Sequence, residues 1–487
     1  MSAGARLDES VWDLLHRALH LYRDDPRAAG LLHHQLGRFD RPLRVAVAGP
    51  ARSGKSTLVN AIVGEQVAPI EADDGGQLFI WYADAPEPGV AAYAPDGSTQ
   101  QLTVTRSAAG IRVELGGWRS GQVDDVVVSW PTRVLRQMTL IDTPAFAAAR
   151  EDGRPSTADR ILRDADAVLY LTRDVRAGDL EFLHAAQEGA VAGAAPVNVI
   201  LVLARADEIG GGRMDALLSA RQGARRRYRD PELNSLCMGV VALDGLVASA
   251  GRALTEPDFA ALAALAGMAR PELDRLLLSA DRFVGGQSPA PVDADTRRTL
   301  LDRLGMFGVR LATTLIRTGW NTRAKLAAEL VTRSGLAELK ESVGRYFIDR
   351  ADVLRARSAL VVLDSVLRRY ARPGSRELLT WVEYVLANTH DFRELRLLAT
   401  LRDPELGFDA DLASEAERLA GGHGVELTTR LGVDPDAGAA ELWGLSSQAL
   451  HRWQNQAEDP LLSLRQRRAA GVVVRSCESM LAQLSAR

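Results

Sequence analysis

The sequence predicts an α/β head on a mostly parallel sheet with an antiparallel extension, joined to an all-α neck and stalk. Three observations predict it. From residue 157 onward, helical and strand patterns alternate, which argues for parallel strands joined by crossover helices. Residues 78–141 read as successive strands with a hairpin signal at Pro95-Asp96-Gly97. Beyond about residue 257 the strand signal ends and helical periodicity runs to the C-terminus. At about 150 residues per domain, 487 residues allow two to three domains. The expected division is an N-terminal helix contributing to the neck (1–40), the head (41–320) and a helical neck and stalk (321–487).

Residues 10–38 read as helical with a break near Pro26; Ser10 with Asp13 resembles a capping box, and Val11, Leu15, Ala18 and Tyr22 recur at helical spacing. Leu43–Ala48 is a short buried strand, followed by a glycine turn and a helix over Ser56–Val63. Strands are expected at Leu78–Tyr82, Val90–Tyr93, Leu102–Val104, Val126–Trp130 and Met138–Ile141. The alternating part places strands at Ala167–Thr172, Val197–Ala204 and Met238–Leu243. Ser334–Ala371, interrupted only by Gly335 and Gly344, would form a rod roughly 55 Å long. In the last helix Val473, Cys477, Met480 and Leu484 form a stripe that packs in a bundle.

Charge and composition exclude several classes. Fifty-nine basic against 63 acidic residues give a net charge of -4, which argues against a polybasic nucleic-acid binder. Cys237 and Cys477 are the two cysteines, so a reducing, cytoplasmic compartment is expected. No uncharged apolar stretch reaches the 18 or so residues that span a bilayer, so membrane contact would be peripheral.

The strongest chemical signal is Gly49-Pro50-Ala51-Arg52-Ser53-Gly54-Lys55-Ser56, which fits G-x-x-x-x-G-K-[ST] between a strand and a helix. Its glycines let backbone N–H groups converge on phosphate oxygens at the positive end of the following helix. Lys55 supplies a point charge to the terminal phosphates, and the Ser56 hydroxyl can ligate Mg²⁺. Asp142, at the tip of Met138–Ile141, can support the metal shell. Leu201–Asp207 then places Arg205 and Asp207 at another strand end. A carboxylate there accepts guanine N1–H and N2–H₂, which adenine does not offer, and the Arg205 stem can lie over the base. An ATPase or kinase is disfavoured on the same ground.

With these motifs on the page, the sequence resembles the bacterial dynamin-like GTPases. The resembling stretches are Lys55–Gly64 (including Thr57), Arg205–Gly210, Leu276–Val284, Asp302–Gly308, Arg333–Leu336 and Ala351–Leu354. The resemblance implies a dynamin-type GTPase head at 41–320 that binds GTP or GDP with Mg²⁺. It also implies head dimerisation, with itself or another dynamin-like protein, and remodelling of lipid at the inner face of the cell membrane. The nucleotide would contact Gly49, Arg52, Ser53, Gly54, Lys55, Ser56, Thr57, Arg205 and Asp207, with Ser56 and Asp142 on the metal. Lys55 and Arg52 are the catalytic candidates. Arg52 occupies the position where guanylate-binding proteins carry a cis arginine finger; an arginine turned to solvent is the other reading.

Three departures set a second reading beside the first. The switch Thr of the family falls on Gly76 within Pro69–Gln77, and no Thr occurs from 58 to 98. The family's D-T-P-G is Asp142-Thr143-Pro144-Ala145, and Ala204 stands where a polar residue is usual. They point to weak hydrolysis, and so to a nucleotide-binding partner of an active dynamin-like protein as the alternative to an enzyme. Leu406-Gly407-Phe408 and the Pro373-Gly374 turn are candidate membrane contacts, and the basic run Arg221–Arg229 reads as a solvated helix face. His16 with His20 lacks the further ligands a metal would need.

Overall fold

Helix and strand patterns translate into a mixed sheet flanked by helices in a computed structural model. It describes residues 7–485 except 69, 73–77, 108–109, 116, 146–155, 188–197, 210–212, 286–289 and 402–403. The strands are β1 (Leu43–Ala48), β2 (Ile70–Ala72), β3 (Phe79–Ala83), β4 (Gly89–Tyr93), β5 (Thr99–Gln101) and β6 (Thr103–Ser107). They continue as β7 (Gly110–Glu114), β8 (Asp125–Ser129), β9 (Met138–Asp142), β10 (Ala167–Thr172), β11 (Val199–Ala204) and β12 (Gly239–Leu243). The main sheet has nine strands in the order β12-β11-β10-β1-β9-β3-β8-β4-β5, and β2-β7-β6 make a small second sheet. Pairings from β12 through β9 are parallel; β3 runs antiparallel to β9, and β4 antiparallel to β8 and β5. The expected parallel sheet with an antiparallel extension is therefore present.

Strands β10 and β11 are buried along their whole length, which explains why they read as unbroken apolar runs. Successive side chains feed opposite cores. Val45, Val47, Leu169, Leu171, Ile200 and Val202 face one. Ala46, Ala48, Val168, Tyr170, Leu201 and Leu203 face the other. The first core is continuous with the helices Leu7–Leu21, Pro26–Leu36, Ala351–Arg369 and Ser375–Asn388, so the N-terminal helices pack with helices from the C-terminal half of the chain. Tyr22 ties them together: its hydroxyl donates to the Tyr370 carbonyl at 3.0 Å and lies 2.9 Å from Ser375 Oγ. A buried ion pair between Arg38 and Asp166 anchors the segment after the second helix to the start of β10. A third core holds the last helices, with Val473, Cys477 and Met480 buried and Leu484 packed against it.

Three local expectations change. The first helix already includes Leu7, so Ser10 is a buried interior residue and caps nothing; the Pro26 break is real, and Asp25 caps the second helix. The strand expected at Leu102–Val104 starts one residue later, as β6, and Leu102 is the break between β5 and β6, which lie in different sheets. The rod over Ser334–Ala371 is three pieces: Leu336–Tyr346, a short 3₁₀ turn Ile348–Arg350, and Ala351–Arg369. Ser334 itself ends the preceding helix Arg323–Ser334, and that separation has a tertiary reason. Gly335 adopts φ 91°, and a Cβ there would sit 2.1 Å from the Ala242 carbonyl oxygen, so the chain turns where it touches β12. Among the described residues no helix is long and apolar enough to cross a membrane.

Candidate functional site

The glycine-rich turn leaves the C-terminal end of β1, the central strand, and enters the helix Lys55–Val63. Gly49 has φ 141°, and a Cβ on it would lie 2.1 Å from the Leu171 carbonyl oxygen, so only glycine lets the loop cross β10 this closely. Gly54 caps the helix at φ 96° with no side-chain bond, leaving first-turn N–H groups for an anion. Lys55 arches back over the loop, its Nζ donating to the Gly49 and Pro50 carbonyls at 3.0 Å each. Burial lowers the pKa of this ammonium, and nearby Asp142 opposes the shift.

Ser56 Oγ donates to Asp142 Oδ2 at 2.6 Å. Register brings them together, because β9 pairs with β1 so that Asp142 stands opposite Val47. Burial pushes the Asp142 carboxyl up to about 6, against the Ser56 hydrogen bond and the Lys55 charge. A hydroxyl and a carboxylate side by side are the oxygen donors a small hard cation takes when phosphates supply further ligands. Among the described residues no three His, Cys, Asp or Glu side chains converge as an all-protein metal site. The Ser53 hydroxyl is buried in the loop without a hydrogen-bond partner among the described residues. Arg52, exposed in mid-loop, has φ 59°.

At the other end of the site, β11 ends on Ala204 and Arg205 turns through φ 55°. Arg52 and Arg205 are the two non-glycine residues with positive φ among those described, and they touch: Arg205 Nη2 donates to the Arg52 carbonyl at 3.3 Å. Arg205 Nη1 donates to Glu208 Oε1 at 2.6 Å. Its guanidinium thus fastens the second loop to the first. Asp207 follows on the short helix Ala206–Ile209, half-buried, with burial raising its pKa. Thr57 faces the next loop: a Cβ on Gly245 would lie 3.3 Å from its Cγ2.

That loop brings in Asp244, which motif reading missed. It ends β12, is 4% exposed, and accepts the Val247 N–H at 3.0 Å as cap of the helix Gly245–Arg252. Burial first, then the neighbouring Asp207 charge, push its carboxyl up to about 7. The only signal in the sequence is an acid directly after an apolar strand. Since the folded state holds this proton more tightly than the unfolded chain, the contribution to stability is full below about pH 4 and is lost as pH rises through about 7. Asp244→Asn, which keeps a capping oxygen, is expected to remove a loss on the order of a few kcal/mol between pH 4 and 8. Urea unfolding at the two pH values checks this; an unchanged pH dependence would acquit Asp244.

Gly76 lies outside the described residues, as do the residues after Ala145 up to 155. His16 lies against Trp12, with ring centroids 3.9 Å apart and the planes tilted by 54°. The run Arg221–Arg229 is partly engaged, with Arg221 donating to the Thr332 carbonyl at 2.6 Å and Arg227 paired to Asp174 at 2.8 Å.

No family model matches the chain. Among solved structures it is similar to chains of an oligomerised bacterial dynamin pair, described as a mechanism for the long-range sensing and tethering of membranes. One aligns with TM-score 0.31 and 12% identity over 99% of this chain and 74% of that one. Another gives 0.30 and 12% over 99% and 75%. In sequence, it is 37% identical over 493 aligned positions to the isoniazid-induced protein IniC of Mycobacterium tuberculosis, in strains CDC 1551 / Oshkosh and ATCC 25618 / H37Rv. That alignment takes in 98% of this chain and 99% of the relative, and the chain accordingly belongs to the family of isoniazid-induced protein IniC.

Proposed function

We propose that this is a dynamin-like guanine-nucleotide-binding protein whose head hydrolyses GTP slowly and whose neck and stalk couple nucleotide state to the inner face of the cell membrane. The reading divides the chain into a neck helix (1–40), a GTPase head (41–320) and a neck and stalk (321–487). The observation that carries it is the placement of Lys55, Ser56 and Asp142 around a glycine-shaped loop at the end of the central strand. Lys55 exchanges its two carbonyl partners for the terminal phosphates of GTP. The free N–H groups after Gly54 and the Ser53 hydroxyl receive phosphate oxygens. Ser56 and Asp142 would hold Mg²⁺, which supplies charge neutralisation at the β- and γ-phosphate oxygens. Asp207 accepts the guanine N1–H and N2–H₂, and Arg205 keeps its loop against the phosphate loop.

Positioning and electrostatics are nearly all of phosphoryl-transfer catalysis, so a cation free to move matters. The Arg52 guanidinium has no ion-pair partner among the described residues, which suits a finger that folds onto the phosphates when heads meet. The second reading, a poorly hydrolysing partner that assembles with an active dynamin-like protein, is favoured by Ala145. Thr143 holds the segment before it, its N–H and Oγ1 bonding the Val47 carbonyl at 3.3 and 3.0 Å, and an alanine has less freedom than a glycine to swing from there.

The test is affinity for GTP, GDP and ADP, then turnover with and without anionic liposomes, for wild type and Arg52→Ala. The enzyme reading expects guanine preference and turnover that Arg52→Ala lowers by about 10-fold or more with binding retained. Binding without turnover would select the partner reading; equal affinity for ADP would overturn the guanine assignment.

A further inference from the structure

Tyr22, Tyr82 and Tyr170 are fully buried among the described residues, and two of them have partners for their hydroxyls. Tyr22 bonds the Tyr370 carbonyl and Ser375, and Tyr170 donates to Asp179 Oδ1 at 2.6 Å. Tyr82, 0% exposed on β3, carries a hydroxyl with no hydrogen-bond partner among the described residues. Its surroundings are apolar, since the ring belongs to the core that includes Leu58, Val59 and Leu140. A phenylalanine would fill nearly the same volume with no polar atom to strip of water. The hydroxyl therefore weakens the fold where it stands. A lone buried hydroxyl of this kind calls for a partner that the folded chain itself does not supply.

Strand register places Tyr82 beside the candidate site. β3 pairs antiparallel with β9, with Tyr82 opposite Leu140 and Ile80 opposite Asp142. Directly opposed residues share a face of the sheet, and so do residues two apart on one strand. Tyr82 and Asp142 are thus diagonal neighbours, at a separation that an aromatic side chain can bridge. Their shared face is the one covered by the helix Lys55–Val63, whose Leu58 and Val59 lie in the same core. The two groups also feel each other electrically. Burial, and then the Asp142 charge, push the phenol well above its ordinary pKa, so Tyr82 keeps its proton and remains a donor. Asp142 has one side-chain partner among the described residues, Ser56 on Oδ2, and a carboxylate can accept several hydrogen bonds.

We infer that Tyr82 is a positioning residue of the nucleotide site: its hydroxyl donates to the Asp142 carboxylate, directly or through one water, and so fixes that carboxylate when Mg²⁺ and nucleotide are bound. The inference rests on the phosphate and Mg²⁺ reading proposed above, and adds to it a residue from a strand outside the glycine-rich loop. In this role Tyr82 acts through Asp142 and touches neither nucleotide nor cation. Ser56 then holds the carboxylate from the helix over the sheet, and Tyr82 holds it from the neighbouring strand. A hydrogen bond to an ionised oxygen is about twice as strong as one between neutral groups, which offsets the burial of the hydroxyl once the bond is made.

The experiment compares the full chain of wild type with Tyr82→Phe, which removes the oxygen and little else. GDP affinity is measured by calorimetric titration in Mg²⁺ and in EDTA, and the thermal midpoint is read without nucleotide. Tyr82→Phe is expected to bind GDP about 10-fold more weakly in Mg²⁺, to match wild type in EDTA, and to unfold at the wild-type midpoint or above it. A hydroxyl that served only the fold would not give that pattern. Wild-type affinity of Tyr82→Phe in Mg²⁺ overturns the inference and leaves the site reading standing. Equal weakening in Mg²⁺ and in EDTA, or a lower midpoint, assigns the hydroxyl to the fold and also overturns it. Wild type that binds GDP equally in Mg²⁺ and EDTA removes the metal assignment at Ser56 and Asp142. Wild type that binds no GDP removes the whole nucleotide reading, and in both cases the Tyr82 inference falls too.

Discussion

Lys55→Ala is expected to weaken GTP and GDP binding by at least about 100-fold and to abolish turnover. The ammonium can give charge-assisted hydrogen bonds worth roughly 1.5–3 kcal/mol each, and two of them account for a loss of this size. Burial strengthens the effect, since charge interactions at this half-desolvated position are less screened than in water. The fold should survive, because what Lys55 bonds in the structure are two carbonyls at the loop surface, Gly49 and Pro50. Lys55→Arg should not restore binding: a planar fork is too large for a loop that closes on a single ammonium. Calorimetric titration with GDP, beside an unchanged thermal midpoint, checks the expectation. Binding by Lys55→Ala at wild-type affinity would remove the phosphate site itself.

What could be read from the sequence follows how local each constraint is. The phosphate loop was legible because its chemistry is written within eight residues, and β1 and the helix after it are called for by that motif. The tips Asp142 and Asp207 were legible because a buried parallel strand is a short apolar run whose end is easy to find. The break at Gly335 was not, because its cause is the Ala242 carbonyl some ninety residues earlier in the chain. The same holds for Arg205: an arginine at a strand end says nothing of where its guanidinium goes, and here the Arg52 carbonyl and Glu208 decide it. Asp244 gains its chemistry from burial beside Asp207, which only the packed sheet provides.

These contacts also explain why the site can respond as a unit. Arg205 joins the loop after β11 to the glycine-rich loop after β1, and Gly245 brings the β12 loop against Thr57. Lys55 holds the Gly49 and Pro50 carbonyls and Arg205 holds the Arg52 carbonyl of the same loop, so a nucleotide bound as proposed would act on a backbone segment that also carries the Arg52 side chain.

The largest stability loss in the helical part is expected from Glu394→Ala. Glu394 is 3% exposed on the helix His390–Thr400 and joins it to two later segments. Arg430, on the helix Leu427–Leu431, approaches it with both guanidinium nitrogens at 2.7 and 3.0 Å. Ser476 of the last helix donates to it at 2.7 Å, and His390 Nε2 lies 3.2 Å away. Burial alone would raise this carboxyl, but the bonds from His390 and Arg430 and the Arg430 charge outweigh it and bring it down to about 2. Alanine would leave the largely buried Arg430 guanidinium without its bidentate carboxylate partner, a loss of about 3–5 kcal/mol, or a fall of roughly 10 °C in the unfolding midpoint. Glu394→Gln, which keeps an acceptor but not the charge, should fall between. Because the folded pKa is depressed, the wild-type contribution is complete above about pH 4.5 and is lost as pH falls toward 2. The gap between wild type and Glu394→Ala should therefore narrow on acidification, and a gap that stays constant from pH 7 to pH 3 would show that packing, not charge, is what Glu394 supplies.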